Sequence, residues 1–214
     1  MLDDVAAKLA SHPATSRLLF NRFTGTAGQY VRAARSRGRY QRYRRRYDVH
    51  PDFEFNGPGI TLYGDGDVEL GADAYVGRHS RIQAKDGCRV RVGENTAVSH
   101  FVFAYTQNRV ADQDMSRAPN RNHSLDVREG DVDVGPHCWI GAFAFLAEGS
   151  SVGENAVVGA NSVVTGDLPP HSVSAGAPAR VREFKSYLDD AEAADLAAAH
   201  ADVLSERVAD AHLD

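Results

Sequence analysis

The side chains in this sequence that could move a proton near neutral pH are its histidines, and His100 and His123 have the most informative surroundings. His100 lies within the apolar run VSHFVFAYT, and His123 lies within the polar run NRNHS. Imidazole titrates close to neutral pH, so a histidine can take the proton from a hydroxyl while that oxygen attacks a carbonyl carbon. The reaction also needs a donor, often a backbone N–H, that stabilises the tetrahedral oxyanion. Both histidines are therefore candidate general bases.

The sequence offers no pattern for a structural metal or a disulfide framework. Cys88 and Cys138 stand far apart, and neither belongs to a Cys-x-x-Cys pair. Paired cysteines or clustered histidines at short spacing are the usual signature of a zinc site. We therefore expect no metal, and both cysteines to act as small apolar residues.

A six-residue repeat sets the elements that must position these histidines. From Val134 the sequence runs VGPHCW, IGAFAF, LAEGSS, VGENAV and VGANSV, with an aliphatic residue first and small residues second and fifth. A period of six fits neither a helix nor a plain two-residue alternation, so each unit must be a short strand plus a corner. Three such units make one triangular turn of a solenoid, whose stacked turns pair as parallel strands about 4.8 Å apart. The expected fold class is an all-β solenoid.

The repeat also runs earlier in the chain and is interrupted once at length. It is present from Leu70 and is lost between residues 106 and 131, in a polar stretch that is too long for a corner. We interpret this stretch as an extended loop thrown out from the solenoid, and such loops commonly carry function. His100 occupies an outward third position of its repeat just before the loop, and His123 lies on the loop itself.

Charge and periodicity divide the chain into three segments. These are a basic helical N-terminal segment (1–56), the solenoid (57–182) and an acidic C-terminal helix (183–214). Residues 1–50 hold eleven Lys or Arg against three Asp or Glu, a balance of +8, whereas the remainder sums to −13. The basic residues can be solvated or dock on the acidic body, or contact an anionic membrane surface; nucleic acid is the least favoured partner.

The sequence contains no run of the roughly 18–20 apolar residues that a membrane-spanning helix requires. Asp3 and Asp4 occupy the positions where a signal peptide would carry positive charge. We therefore expect a cytoplasmic location, with the basic segment allowing peripheral contact with a membrane.

The run 134–182 resembles the C-terminal part of the hexapeptide-repeat acyltransferases, which include galactoside and maltose acetyltransferases and enzymes that acetylate polysaccharides. The motifs that carry the resemblance are WIG from Trp139, VVGANSVVTGDLPP from Val157 and AGAPARV from Ala175. It covers about residues 57–184. The resemblance implies a left-handed parallel β-helix, a homotrimer, and acetyl-coenzyme A bound as co-substrate in the groove between adjacent subunits, with no metal required.

The resemblance also implies which residues bind the cofactor. Those expected to meet the pantetheine arm are Ala142, Gly159, Ala160 and Thr165, and those expected to face the adenosine phosphates are Arg180 and Arg182. Gly166 departs from the family, in which a lysine often follows the threonine. Phosphate affinity is therefore expected to depend more heavily on the two arginines.

The family places its catalytic base near the start of the extended loop, in an Asn-His or Gly-His pair. The matching pair here is Asn108-Arg109. An arginine cannot serve as the base, because its pKa stays above about 12. We therefore predict His100 as the first candidate for the base and His123 as the second.

A related fold class binds zinc through three histidines and hydrates carbon dioxide. Two of those histidines are five residues apart, but the residue five after His100 is Tyr105. The zinc site of that class is therefore not expected here.

The expected function is transfer of an acetyl group from acetyl-coenzyme A to a hydroxyl of a sugar or glycan-like acceptor. The alternative is a non-catalytic trimer that binds a ligand or partner in the intersubunit groove. Arg109 favours the alternative, whereas the cofactor-side run 157–182 favours the enzyme, because a scaffold alone does not need it. The acceptor would be set by loop residues such as Asp112, Asp114 and Arg117, and a longer acyl donor also stays open.

Overall fold

The computed structural model describes residues 22–117 and 125–204, in a chain that divides into two units, 1–42 and 43–214. Helix α1 (Arg22–Arg46) forms the described part of the first unit, and its last four residues belong to the second. The helix carries nine arginines and no acidic residue, so it holds most of the basic excess of the N-terminal region. Within the described residues, no helix is both long and apolar enough to cross a membrane.

Most strands of the second unit belong to three sheets, whose members are short and pair in parallel. Sheet A contains β1 (Asp48–Val49), β4 (Asp67–Leu70), β7 (Arg89–Val92), β12 (Val132–Val134), β15 (Ser151–Val152) and β18 (Asp167–Leu168). Sheet B contains β2 (Glu54–Asn56), β5 (Tyr75–Gly77), β8 (Ala97–Val98), β13 (Trp139–Ile140), β16 (Val157–Val158), β19 (Ser172–Gly176) and the antiparallel β20 (Ala179–Phe184). Sheet C contains β3 (Thr61–Tyr63), β6 (Arg81–Gln83), β9 (Phe103–Tyr105), β14 (Phe145–Leu146) and β17 (Val163–Val164).

Consecutive strands belong to sheets A, B and C in a fixed order. In the described residues the chain passes through sheets A, B and C five times in succession and then adds β18 and β19. Each strand pairs with the strand one circuit earlier, as Val134 does with Val92 and Val152 with Val134. Because β1 already pairs with β4, parallel pairing begins before residue 57, where the repeat is not visible in the sequence.

The six-residue repeat determines which side chains are buried in the core. First-position side chains such as Ile140 and Val158 are fully buried, and so are the small fifth-position residues Ala144 and Ser162. Aliphatic burial of this kind stabilises a fold by about 1.5–3 kcal/mol for each fully buried side chain. The inward alternation therefore both forms the core and directs the intervening side chains outward.

The three corners between the sheets differ in their left-handed residues, which have φ between +53° and +79° at the positions discussed here. The A–B corner has Asp73, Asn95, His137, Asn155 and His171; the B–C corner has His79, Phe101, Phe143 and Asn161; the C–A corner has Gly87 and Gly149. Asn, Asp and Gly tolerate this conformation, whereas bulky residues adopt it at a cost. The two phenylalanines are therefore the unusual choices.

The extended loop leaves the C–A corner as a hairpin. Strands β10 (Gln107–Arg109) and β11 (Val127–Glu129) pair antiparallel. The predicted loop begins and ends at this hairpin, and residues 118–124, including His123, lie outside the described residues.

Over residues 183–204 the C-terminal region differs from the single helix expected over 183–214, and residues 205–214 lie outside the described residues. Residues 183 and 184 continue β20, and helix α2 spans Asp190–Ala199. Asp189 starts α2 through a capping box, in which its side chain accepts from the Glu192 N–H and the Glu192 carboxylate accepts from the Asp189 N–H. Strong N-cap chemistry at residue 189 therefore sets a later start than the alanine-rich composition suggests.

Candidate functional site

At the B–C corner, residues that occupy the same position in successive circuits lie side by side. Ile140 pairs with Val98 on one side and with Val158 on the other. The residues two positions further along these three segments are His100, Ala142 and Ala160. The first candidate base and two predicted cofactor-binding residues therefore lie in one line, which we name the B–C row.

Backbone hydrogen bonds hold the B–C row together. The Phe143 N–H donates to the carbonyl of His100 at 3.1 Å, and the Asn161 N–H donates to the carbonyl of Ala142 at 2.9 Å. His100 and Ala142 are thus each tied to the circuit that follows them. The positions of their backbone groups are fixed by the fold and not by a mobile loop.

The His100 imidazole is half-buried and packs against the previous circuit. A Cβ placed on Gly77 would lie 2.4 Å from its Nδ1, so the glycine makes room for the ring. Nδ1 is buried and has no hydrogen-bond partner among the described residues. Packing therefore orients this ring, without the hydrogen bond to a carboxylate or carbonyl that often fixes a histidine tautomer.

Two exposed aromatic side chains flank His100, and neither was predicted from the sequence as a site residue. Trp139 is 55% exposed, and its indole N–H donates to Ser99 Oγ at 3.3 Å. Phe143 is 54% exposed. The sequence signal that could have identified them is an aromatic residue at an outward position of the repeat. Phe143 also occupies a corner position at which the A–B corner carries polar residues.

Phe143 belongs to a stack of three rings, His79, Phe101 and Phe143, which we name the aromatic ladder. The centroids of Phe101 and Phe143 are 4.9 Å apart with 3° between the ring planes. His79 and Phe101 are separated by 5.1 Å and 18°. The ladder therefore runs along the corner beside the B–C row.

The other residues predicted to bind the cofactor lie in two separate parts of the fold. A Cβ on Gly159 would lie 3.0 Å from the Cβ of Ala175, and Arg182 Nε donates to the carbonyl of Ala175 at 3.3 Å. Arg180 extends from the same face of β20 as Arg182, because buried Val181 lies between them. Gly159 and the arginines are thus near the C-terminal end of the B–C row.

Thr165 lies elsewhere. It follows β17 and is exposed at the corner between sheets C and A. The structure therefore does not bring Thr165 to the B–C row within this chain.

The pair that matches the family's catalytic position lies in the hairpin at the C–A corner. The Asn108 amide donates to the carboxylate of Glu148, which anchors β10 to the next circuit. Arg109 is exposed. A cation and a neutral amide occupy this position, so neither group can accept a proton there.

Sheet C presents aromatic side chains outward beside the hairpin. The rings of Tyr63 and Tyr105 meet edge to face at 6.3 Å, and Tyr105 meets Phe145 in the same way at 5.5 Å. Burial, followed by the hydrogen bond with Tyr105, raises the pKa of Tyr63 to about 12. Tyr63 therefore stays a neutral phenol at physiological pH and adds to the apolar character of this face.

The outward face of sheet A is charged, in contrast to the apolar outward face of sheet C. Arg89 lies within 4.0 Å of carboxylate oxygens of Glu69, Asp131 and Asp133. A polar cleft of about 440 Å³ opens between this face and the A–B corner, lined in part by His50 and Glu69. None of the predicted site residues that the structure describes lines this cleft. Among residues 22–117 and 125–204, no group of three or more His, Cys, Asp and Glu side chains could hold a metal ion.

Comparison with known protein families identifies the repeat. Residues 131–166 match the family model described as bacterial transferase hexapeptide, six repeats. A probable acetyltransferase of Mycobacterium tuberculosis is 26% identical over 176 residues, which cover 72% of this chain and 59% of that protein. The galactoside O-acetyltransferase of Escherichia coli is 26% identical over 115 residues, which cover 52% of this chain and 54% of that enzyme. The chain thus spans less than two thirds of the length of these curated relatives.

Solved structures share the fold at low sequence identity. A variant of AntD, an N-acyltransferase from Bacillus cereus solved with dTDP and coenzyme A, matches with a TM-score of 0.53 and 18% identity, over 65% of this chain and 81% of that one. The matched repeats and this shared fold confirm the resemblance of the chain to the hexapeptide-repeat acyltransferases.

Proposed function

We propose that this protein is a coenzyme A-dependent acyltransferase that moves an acetyl group from acetyl-coenzyme A to a hydroxyl of a sugar or glycan-like acceptor. The observation that carries the proposal is the B–C row, in which His100 precedes Ala142 and Ala160. The names of the relatives add support, because the Escherichia coli relative is a galactoside O-acetyltransferase.

In this proposal the three sheets are the faces of a left-handed parallel β-helix, which assembles as a homotrimer. The cyclic order of the strands through sheets A, B and C supports the solenoid. The acetyl-coenzyme A would lie along the B–C row, with Arg180 and Arg182 near its phosphates. Guanidinium groups suit this role, because they bind phosphate through paired N–H donors.

His100 is the proposed general base. With Nδ1 buried against Gly77, Nε2 is the nitrogen proposed to take the acceptor's proton. As the acceptor oxygen bonds to the thioester carbon, the C–S bond breaks and the proton passes to the coenzyme A thiolate. A backbone N–H of the corner is the proposed donor to the oxyanion, because such donors are worth several kcal/mol when they are fixed in advance. His123 is retained as the second candidate base.

The basic N-terminal helix is proposed to hold the enzyme at an anionic membrane surface. Nine arginines without an acidic residue support electrostatic adsorption. Juxtamembrane basic residues contribute about 1 kcal/mol each near such a surface, and salt screens the attraction. Cosedimentation with phosphatidylserine vesicles at low salt, lost at high salt and with neutral vesicles, is the expected result.

A non-catalytic trimer that binds a ligand in the same groove is the second candidate. It is favoured by Arg109, which stands where the family carries its base and is exposed. The test that separates the two is transfer of radiolabelled acetyl from acetyl-coenzyme A to a panel of mono- and oligosaccharides. Labelled product supports the enzyme, whereas saturable cofactor binding without any labelled acceptor supports the binding protein.

A further inference from the structure

The side-chain amide of Gln113 lies between the two strands of the hairpin, at the point where their pairing stops. The last paired residues of β10 and β11 are Arg109 and Val127. At the next position, the Val110 N–H still donates to the carbonyl of Asp126 at 3.0 Å. The return bond, from the Asp126 N–H to the carbonyl of Val110, is replaced by bonds to Gln113. The pairing of the hairpin therefore ends against a side chain.

Gln113 uses its whole amide in this position, an arrangement that we name the Gln113 clamp. Its Nε2 donates to the carbonyl oxygens of Val110 and Asp126, the second at 2.9 Å, and its Oε1 accepts from the Asp126 N–H at 2.9 Å. A primary amide has two N–H donors and one carbonyl oxygen, so both donors and the acceptor are satisfied. The reverse orientation would place the oxygen against two carbonyl oxygens. The contacts therefore define one orientation of the amide.

The other end of the hairpin is fixed to the body of the fold. Thr106, which is fully buried, accepts from the Lys85 N–H through its hydroxyl at 2.8 Å. The Gly130 N–H donates to the carbonyl of Thr106 at 3.0 Å. One residue into the hairpin, the Asn108 amide donates to the carboxylate of Glu148. The hairpin is therefore held at its base by the sheets and at its tip by the Gln113 clamp.

The Gln113 clamp fixes the backbone beside two exposed carboxylates. Asp112 and Asp114 are the immediate neighbours of Gln113 in the chain, and both are exposed. The Asp114 carboxylate accepts from the hydroxyl of Ser116 at 2.6 Å and from its N–H at 3.0 Å, and these bonds lower the pKa of Asp114. Ionised carboxylates only accept hydrogen bonds, and the hydroxyl groups of a sugar can donate them. The chemistry at this position therefore suits a polyhydroxylated ligand.

We infer that Gln113 is a positioning residue for the acceptor, whose clamp holds the start of the extended loop so that Asp112 and Asp114 accept hydrogen bonds from acceptor hydroxyls. The inference deepens the proposed function and rests on it. Binding residues on a loop are effective only when a rigid support fixes their geometry, and the hairpin closed by Gln113 is such a support. Gln113 acts through the two aspartates, so its contribution is to acceptor binding and not to the acyl transfer step.

The first readout is hydrogen exchange of the full chain and of the variant Gln113→Glu, measured by mass spectrometry with fragmentation to single residues. Ionised glutamate has nearly the size of glutamine but no N–H donor, so it places negative charge against the carbonyls of Val110 and Asp126. We expect the Asp126 N–H to exchange at least tenfold faster in this variant. The control is Gln107→Ala, which removes a side-chain bond to Glu129 in the same hairpin and should leave that exchange within twofold.

The second readout is acetyl transfer to methyl β-galactoside, or to the saccharide of the panel that is labelled fastest if the galactoside is not labelled. We expect Gln113→Glu to raise the acceptor KM at least tenfold, with kcat within threefold of the unchanged chain and the Kd of acetyl-coenzyme A unchanged. A loss confined to KM is the signature of weaker binding without a change in the chemical step. Asp112→Asn and Asp114→Asn should raise the acceptor KM in the same way.

Unchanged exchange of the Asp126 N–H in Gln113→Glu would overturn the clamp. An acceptor KM equal to that of the control, or a fall in kcat at constant KM, would overturn its role in acceptor binding. If Gln113→Glu does not fold, as judged by circular dichroism, Gln113→Ala decides in the same way against its matched control Gln107→Ala. An unchanged chain that labels no saccharide refutes the proposed activity and with it the acceptor role, whereas the exchange measurement still decides on the clamp by itself.

Discussion

His100 is positioned by its backbone and by the absence of a side chain at Gly77. Its carbonyl is fixed by the Phe143 N–H, and its ring fills the space above the glycine. A base held by packing needs no carboxylate partner to keep its orientation, although it lacks the stabilisation that such a partner gives to the protonated ring. The candidate site therefore depends on residues of two neighbouring circuits.

We expect His100→Ala to lower the turnover number for acetyl transfer at least 100-fold, because general base catalysis typically contributes 10²–10⁴-fold. The affinity for acetyl-coenzyme A should change little, since Ala142 and the arginines are retained. The control is His137→Ala, which removes an exposed histidine at the A–B corner. A His100 variant whose turnover stays within a few-fold of the parent would refute the assignment.

Tyr63 gives a prediction for alkaline pH. Its pKa is about 12 in the folded protein, compared with 10.0 for a free phenol, so the folded state holds the proton more tightly than the unfolded chain. The contribution of Tyr63 is fully present below pH 10 and is lost as the pH rises through 12. Phenolate absorbance should show a late transition that disappears in Tyr63→Phe. A variant with an unchanged titration at high pH would contradict this account.

Part of the candidate site could be proposed from the sequence, and the parts that were missed have physical reasons. His100 was placed at an outward position by the repeat, whereas Ala142 was taken from the resemblance to the hexapeptide-repeat acyltransferases. Phe143 was overlooked because its role depends on stacking with Phe101, a contact between residues far apart in sequence. The family's base position was set aside because an arginine stands there, and the link from Asn108 to Glu148 could not be foreseen without the hairpin.

At the scale of the strands and corners, glycines permit the circuits to approach. A Cβ on Gly141 would lie 2.5 Å from the backbone nitrogen of Ala160, whereas a Cβ on Gly166 would meet nothing within 4 Å. The two glycines therefore have different structural roles, although each closely follows a strand that ends in an aliphatic residue. Gly141 is required by close approach and Gly166 is not.

Gly141→Ala should lower the free energy of unfolding by about 1–3 kcal/mol, because the backbone at Ala160 cannot move away without disturbing strand pairing. Gly166→Ala should have no cost, and can stabilise by about 0.4–1 kcal/mol through the lower entropy of the unfolded chain. Urea unfolding of both variants measures the difference. Equal losses from the two substitutions would mean that close packing at the B–C row is not as described.

The elements themselves were predictable to different degrees. The repeat from Val134 onward predicted strands β12 to β17, because each aliphatic first position is buried in a strand. Strands β1 and β2 were missed because that region shows no repeat, and their pairing with later strands is visible only in the fold. The C-terminal helix was placed too early because the capping box at Asp189 was given no weight against the alanine content.

At the scale of the whole molecule, the distribution of charge and apolar surface is uneven in a way that suits the proposed assembly. Sheet A is charged, sheet C and the aromatic ladder are apolar, and α1 is strongly basic. In the proposed assembly, the apolar face would contact other copies of the chain and the basic helix would contact an anionic surface. Both uses are compatible with a cofactor that lies along the B–C row.

The most direct measurement is calorimetric titration of acetyl-coenzyme A into the full chain, with the double variant Arg180→Glu and Arg182→Glu as the comparison. We expect saturable binding near one site per subunit, weakened at least tenfold in the double variant because charge reversal repels the adenosine phosphates. Folded protein that binds no acetyl-coenzyme A, or a double variant that binds it as tightly as the unchanged chain, would contradict the proposed cofactor site.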